Sequence, residues 1–397
     1  MKAKKENLLL AAFIVMTLTV CVGQLAAQAP SADLDELLAA PVVQAIQSIR
    51  GTMVPGNNLA GKLAWLQSNV ESRGTYIIEV DADENVAPRR FEYTDMTNVT
   101  IVLRGVDANR TIRLSANGIM FTVPSTITLI LDNNITLQGL PGNNSAMILV
   151  DGGTFMMNAG SAITGNGGVG VIAGVRVRHP NPPVGTFVMN GGAIHRNTGG
   201  GVRIVSGSLT MKGGTISDNT APNGGGVFVG TGGNVTFTMD GGAISNNIAK
   251  EKGGGVFIEN GEKGVGRPTF TMNDGIISGN SASSGGGVYA EDYVTFNMRG
   301  GTITSNIATE YGGGVCVEIN STFSKTGGII TGHNSDQEDG NVVGKTNVLT
   351  DRGHAVSVVA TGAVEGRKRK ESTAGPEDEL SISLDGWMTS FGGTWDE

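Results

Sequence analysis

Apolar residues along this chain fall in short alternating runs, each closed by glycine. Thr186-Phe187-Val188-Met189-Asn190-Gly191-Gly192, Thr236-Phe237-Thr238-Met239-Asp240-Gly241-Gly242 and Thr295-Phe296-Asn297-Met298-Arg299-Gly300-Gly301 share one pattern. A period of two puts Phe and Met on one face of a β-strand and the residues between them on the other. The Phe position can be followed through Ile101, Leu129, Phe155, Phe187, Leu209, Phe237, Phe270, Phe296 and Phe323, which predicts nine stacked rungs. A unit too short to bury its own apolar face buries it on its neighbours, so the pattern predicts a solenoid and not a closed globule.

Each rung divides further. After the glycine pair comes an inward isoleucine, in the series Ile163, Ile194, Ile216, Ile244, Ile277 and Ile303. An asparagine column follows at Asn166, Asn197, Asn219, Asn247, Asn280, Asn306 and Asn334. Glycine triplets at 199–201, 224–226, 253–255, 285–287 and 312–314 then lead into strands such as Val227-Phe228-Val229 and Val256-Phe257-Ile258. Glycine and asparagine both tolerate the left-handed backbone that tight corners need, and stacked asparagine amides can bond from rung to rung. Three short strands joined by three corners make one turn, and parallel crossovers are right-handed almost without exception. The expected fold is an all-β, right-handed parallel β-helix of about nine turns.

A stacked column leaves its first rung open, so something must cover it. Leu59, Leu63, Leu66 and Val70 share one helical face, and 33–50 also has helical spacing. The changes in pattern give four segments: 1–27 an export signal, 28–72 a helical cap, 73–345 the β-helix and 346–397 a polar tail. Val356 to Val359 is a candidate last strand, and Trp387, Phe391 and Trp395 are candidates to dock on the final rung.

Composition sharpens this reading. The 62 glycines come with only 12 prolines, which argues against a collagen-like or proline-rich disordered chain. Aromatic residues make up 5% against 39% hydrophobic, so the core is narrow and mainly aliphatic. The formal net charge of −8 excludes a design for binding nucleic acid. Lys2, Lys4 and Lys5 precede an apolar run from Leu8 to Gly23 and the small pair Ala26-Ala27, the form of an export signal cut after Ala27. No further membrane span follows it. The cysteines are Cys21 and Cys316; Leu18-Thr19-Val20-Cys21 makes a lipid anchor on Cys21 the lesser alternative to simple cleavage.

Ile277-Ser278-Gly279-Asn280-Ser281-Ala282, followed by Gly285-Gly286-Gly287-Val288, resembles the paired repeats of bacterial polymorphic outer-membrane proteins. The match recurs at 216–227, 244–256 and 303–315. Those repeats build right-handed β-helical passenger domains related to the pectate-lyase fold. The resemblance implies an exported envelope or surface protein, adhesin-like, at the outer membrane, outside the cell or in the periplasm. Relatives of that kind end in a membrane β-barrel with an aromatic terminus. This chain ends Thr394-Trp395-Asp396-Glu397, so self-anchoring by a barrel is not expected.

Polysaccharide lyases and hydrolases also use this fold, and they need clustered acidic residues. Asp240, Asp274, Glu259 and Asp292 fall at different rung positions, and Asp218 stands alone beside Arg196, Asn246, Gly279 and Ser305. No catalytic residue, metal site or cofactor is expected. The histidines are His179, His195, His333 and His354; His195 and His333 fall in corners next to the asparagine column, several rungs apart, and cannot share a metal. The binding candidate is an outward column, Arg203, Phe228, Phe257, Tyr289 and Cys316, whose aromatics at successive rungs suggest a stacking ladder. The residues chosen are Phe228, Phe257 and Tyr289, with a glycan or a cell-surface protein as partner. A carbohydrate-active enzyme and a ligand-free surface spacer are the alternatives. The insertions at 176–184 and 259–268 are further candidates for recognition loops.

Overall fold

The computed structural model describes residues 49–93, 95–173, 184–231, 235–261, 266–318, 320–332, 340–344, 355–360, 363–368 and 380–383. The chain divides between Arg50 and Gly51 into two compact units. The second unit is a right-handed parallel β-helix of about ten turns. Of the first, only Ile49 and Arg50 are described, so the rest of the predicted helix at 33–50 and the segment expected to be an export signal lie outside the described residues.

The register bears out the columns read from the sequence. On the first face, Ile101 lies opposite Leu129, then Phe155, Phe187, Leu209, Phe237, Phe270, Phe296 and Phe323 follow in order, each paired with the next. Tyr76 extends this column by a rung at its N-terminal end, opposite Ile101, which is why the coil has about ten turns and not nine. Where phenylalanines are successive their rings stack, at 4.5 Å for Phe237–Phe270, 4.9 Å for Phe270–Phe296 and 5.0 Å for Phe296–Phe323. The isoleucine column runs from Ile163 through Ile303 as expected and continues to Ile330. In strands Thr236–Ser245 and Thr269–Ser278 the first two faces form one unbroken strand bent at the glycine corner.

The asparagine column lies inside the coil, buried throughout. From Asn219 to Asn341 each Oδ1 accepts from both the backbone N–H and the Nδ2 of the asparagine one rung before it. The side-chain links measure 3.0 Å for Asn219–Asn247 and Asn247–Asn280, and 2.9 Å for Asn280–Asn306. Over the same stretch each Nδ2 also donates to a carbonyl of the isoleucine column; that of Asn247 reaches Ile216 at 2.9 Å. No amide in the run is left unpaired, which is the condition for burying one. The column ends at Asn341, which accepts from Asn306 at 2.9 Å, and not at Asn334, which lies outside the described residues. The residue before each asparagine explains the lone Asp218. Arg196, Asp218 and Asn246 have φ of 56° and Ser305 has 55°, with glycine at 165 and 279 in the same region. Asp218 is a corner residue in a column of corner residues.

The third face carries the Val-x-Val strands. In the C-terminal half a short fourth strand follows each asparagine, as at Ile248–Ala249 and Ile307–Tyr311. Both ends are covered. Helix α1 (Leu59–Asn69) begins at Asn58, whose side chain accepts from the Gly61 N–H, and buries Leu59, Leu63 and Leu66. Its first N–H, on Leu59, donates at 2.7 Å to Glu84, the head of the isoleucine column. A carboxylate at a helix N-terminus satisfies a donor with no helical partner and complements the dipole. At the other end Val356–Ala360 pairs parallel with Val315–Glu318, and two antiparallel strands then close the coil. Ala363–Lys368 lies on Val356–Ala360, and Leu380–Ser383 lies on Thr322–Lys325. The segment read as a polar tail therefore supplies edge-covering strands; Trp387, Phe391 and Trp395 lie outside the described residues.

Candidate functional site

The outward column of the third face has the register expected: Arg203, Phe228, Phe257, Tyr289 and Cys316 lie on successive rungs. Its exposure is not that of an open ladder. Phe228, Phe257 and Tyr289 are 8%, 3% and 5% accessible, and they pack with Cys316, Val359 and Tyr311 as a second apolar cluster outside the coil. Ring centroids are 5.1 Å apart for Phe228–Phe257, edge to face, and 6.1 Å for Phe257–Tyr289. A sugar stacks flat on a broadly exposed ring face, and these rings are too covered to offer one. They form the floor of a groove.

One wall comes from the residue before each glycine triplet. The N–H of Gly224 donates to Lys252 O, that of Gly253 to Ser284 O and that of Gly285 to Tyr311 O, so Asn223, Lys252, Ser284 and Tyr311 are column mates. The other wall is a column of carboxylates. Glu259, Glu291 and Glu318 each follow the third residue of a Val-x-Val strand, and those third residues, Ile258, Ala290 and Val317, are paired in register. Sequence reading missed this column because it weighed Glu259 beside Asp292, a neighbour of Glu291. The signal available was the same offset from three successive glycine triplets.

The two walls meet over Tyr289. Lys252 Nζ stands 4.7 Å from the Tyr289 ring centre and pairs with Glu291 Oε1 at 2.6 Å and Glu318 Oε1 at 3.3 Å. Burial works against the ammonium, but the bonds and charges of Glu291 and Glu318 outweigh it and hold Lys252 above the ordinary lysine value. The Tyr289 hydroxyl donates to Glu318 at 2.7 Å, and burial, together with Cys316 and Glu318, pushes the phenol far above its usual range. Glu291 Oε2 accepts from the Asn260 N–H at 2.9 Å and Glu318 Oε2 from the Asp292 N–H at 3.2 Å. Here the groove is filled by the protein's own groups.

One rung earlier it is open. A cleft of about 320 Å³ lies over Phe228 and Phe257, edged by Arg203, Asn223, Glu259 and Glu291. It exists because Asn223 stands where the next rung has Lys252, and its short side chain turns away to accept from the Lys252 N–H at 2.9 Å. Arg203 lies 4.0 Å above the Phe228 ring. Gly230, the column mate before Glu259, leaves room for that carboxylate: a Cβ there would stand 3.3 Å from Glu259 Oε2 and 3.4 Å from the Phe228 ring edge. No hydrogen bond or ion pair among the described residues engages the Glu259 carboxylate. Two of the three predicted site residues therefore line one cleft, and Tyr289 lies beside it under Lys252.

Elsewhere the chemistry is sparse. Among the described residues no group of three or more His, Cys, Asp or Glu side chains is placed to hold a metal. His195 sits half-buried with Nδ1 3.3 Å from the Thr164 hydroxyl, and burial lowers its pKa. His179, His333, His354 and most of the insertion at 176–184 lie outside the described residues. No described helix is long and apolar enough to cross a membrane. No family model, curated protein or solved structure matches this chain.

Proposed function

We propose that this chain is an exported, non-catalytic β-helix protein of the cell envelope or surface, adhesin-like in holding a glycan or protein ligand in the cleft over Phe228 and Phe257. The carrying observation is the break in the repeat at Asn223, which opens a cleft between charged walls that are closed one rung later. A coil serving only as a spacer gains nothing from an unpartnered, half-buried carboxylate at Glu259, since desolvating a charge costs free energy unless a partner compensates it. Export rests on the charged and apolar N-terminal pattern, with cleavage after Ala27 and a lipid anchor on Cys21 as the alternative.

A carbohydrate-active enzyme is the competing reading, since Glu259 and Glu291 both border the cleft. Glycoside hydrolysis needs two carboxylates free to act on one bond. Glu291 has one oxygen on Lys252 and the other on the Asn260 N–H, which suits a wall and not an acid or base. Two experiments test the proposal. Fractionation with surface proteolysis should find the protein in the envelope or outside the cell, and recovery from the cytoplasm would refute export. Binding to a glycan and peptide array should fall in the double variant Arg203→Ala/Glu259→Gln, with no new reducing or unsaturated ends released from any polysaccharide.

A further inference from the structure

The protein contains a worked example of how its groove holds a cation. Over Tyr289, an aromatic floor and two carboxylates one rung apart receive the Lys252 ammonium. Over Phe257 the same parts recur: a ring below, with Glu259 and Glu291 one rung apart beside it. The side chain that would fill this second place is missing, because its position is Asn223. The charges agree with the geometry. Lys252 pairs with both Glu291 and Glu318, and no ion pair among the described residues reaches Glu259.

We propose that the cleft is a site for a primary ammonium group carried by an amino sugar, seated over Phe257 between Glu259 and Glu291. This deepens the binding role proposed above and rests on it. The face of an aromatic ring attracts positive charge through its quadrupole, and charge-assisted bonds to carboxylates are about twice as strong as neutral ones. A saccharide fits better than a lysine side chain on two counts. The cleft, at about 320 Å³, lies in the range of small-ligand pockets and far exceeds an ammonium tip. Its remaining walls join polar groups, Asn223 and the backbones of Gly199, Gly200 and Gly224, to the apolar Val202, Ala221 and Pro222, which suits a sugar ring with its hydroxyl edge and C–H face.

Calorimetric titration of the full chain with a glucosamine trimer, its N-acetylated counterpart and a lysine-containing peptide tests this. The free amine should bind, and acetylation, which removes the charge, should weaken it at least roughly tenfold. Glu259→Gln should bring a similar loss. Asn223→Lys should abolish binding by supplying the missing ammonium from within, while its thermal midpoint is unchanged or raised. Equal binding of the acetylated trimer, or undiminished binding by both variants, would overturn the site. Binding of the peptide alone would overturn the amino sugar while leaving the cleft as a binding site. Array ligands held independently of Glu259 and Asn223 would overturn this inference and leave the wider adhesin-like role standing.

Discussion

The terminal methyl of Met211 lies 2.7 Å from where a Cβ on Gly242 would stand, one rung further along the coil. Met239 and Gly275, Met272 and Gly301, and Met298 and Gly328 repeat the relationship. The spacing Phe-x-Met-x-Gly-Gly thus encodes an interlock: the methionine of each rung fills the space that the second glycine of the next rung leaves bare. Gly242 also has a φ of +85°, which an L side chain rarely adopts. Gly242→Ala should therefore destabilise the coil by about 2–4 kcal/mol in denaturant unfolding. Gly142→Ala, where nothing lies within 4 Å of the added methyl, should be within about 0.5 kcal/mol of wild type.

Asn247 satisfies four partners with one amide. Its Oδ1 accepts from Asn219 N and Nδ2, and its Nδ2 donates to Asn280 Oδ1 and Ile216 O. Asn247→Ala strands buried groups on three neighbours, and the expected cost is about 3–5 kcal/mol. Because rungs contact only their neighbours, hydrogen exchange should quicken first at Asn219 and Asn280 and little at Asn143.

Alkaline pH should erode stability in a defined order. Burial pushes the Cys316 thiol up, Glu318 adds to the effect and Lys252 opposes it. A folded value above the unfolded one, about 8.5, gives stability that is complete below that pH and is lost as pH rises through the folded value. Tyr289, and Lys252 with its carboxylates, follow the same sign from their unfolded values of about 10 and 10.4. Unfolding free energy measured from pH 7 to 11 should begin to fall near 8.5. In Cys316→Ala the fall should begin only near 10; an unchanged onset would show that the thiol is not the first group to titrate.

The cap can be tested at Leu63, fully buried on helix α1. Leu63→Lys should lift the helix from the first rung and expose strand edges, so the variant should lose about 3 kcal/mol and self-associate in size-exclusion chromatography. Glu84→Gln, which keeps an acceptor for the Leu59 N–H, should cost only about 1 kcal/mol.

The coil was legible in the sequence because a solenoid writes its contacts as columns at fixed offsets. Ile101 to Phe323 and Ile163 to Ile303 could be aligned by eye and hold in register. The asparagine column was legible until an insertion changed the offset, and Asn334 took the place that Asn341 holds. The site was half legible. Alternation places Phe228, Phe257 and Tyr289 on the outside, but alternation within a strand is blind to the corners on either side. It was those corners, through Lys252, Tyr311 and the glutamates, that turned an outer ladder into the floor of a groove. Cleft and filled groove differ by one residue, Asn223 against Lys252, and only their alignment before the glycine triplets reveals it.

Whether the cleft is the binding site is decided by one array experiment with the wild type and Asn223→Lys side by side, over cell-surface glycans and peptides. The wild type should retain at least one class of ligand, and Asn223→Lys, with circular dichroism unchanged and melting unchanged or raised, should retain none of it. Equal retention by the two proteins would contradict the claim that function resides in the cleft where the repeat breaks.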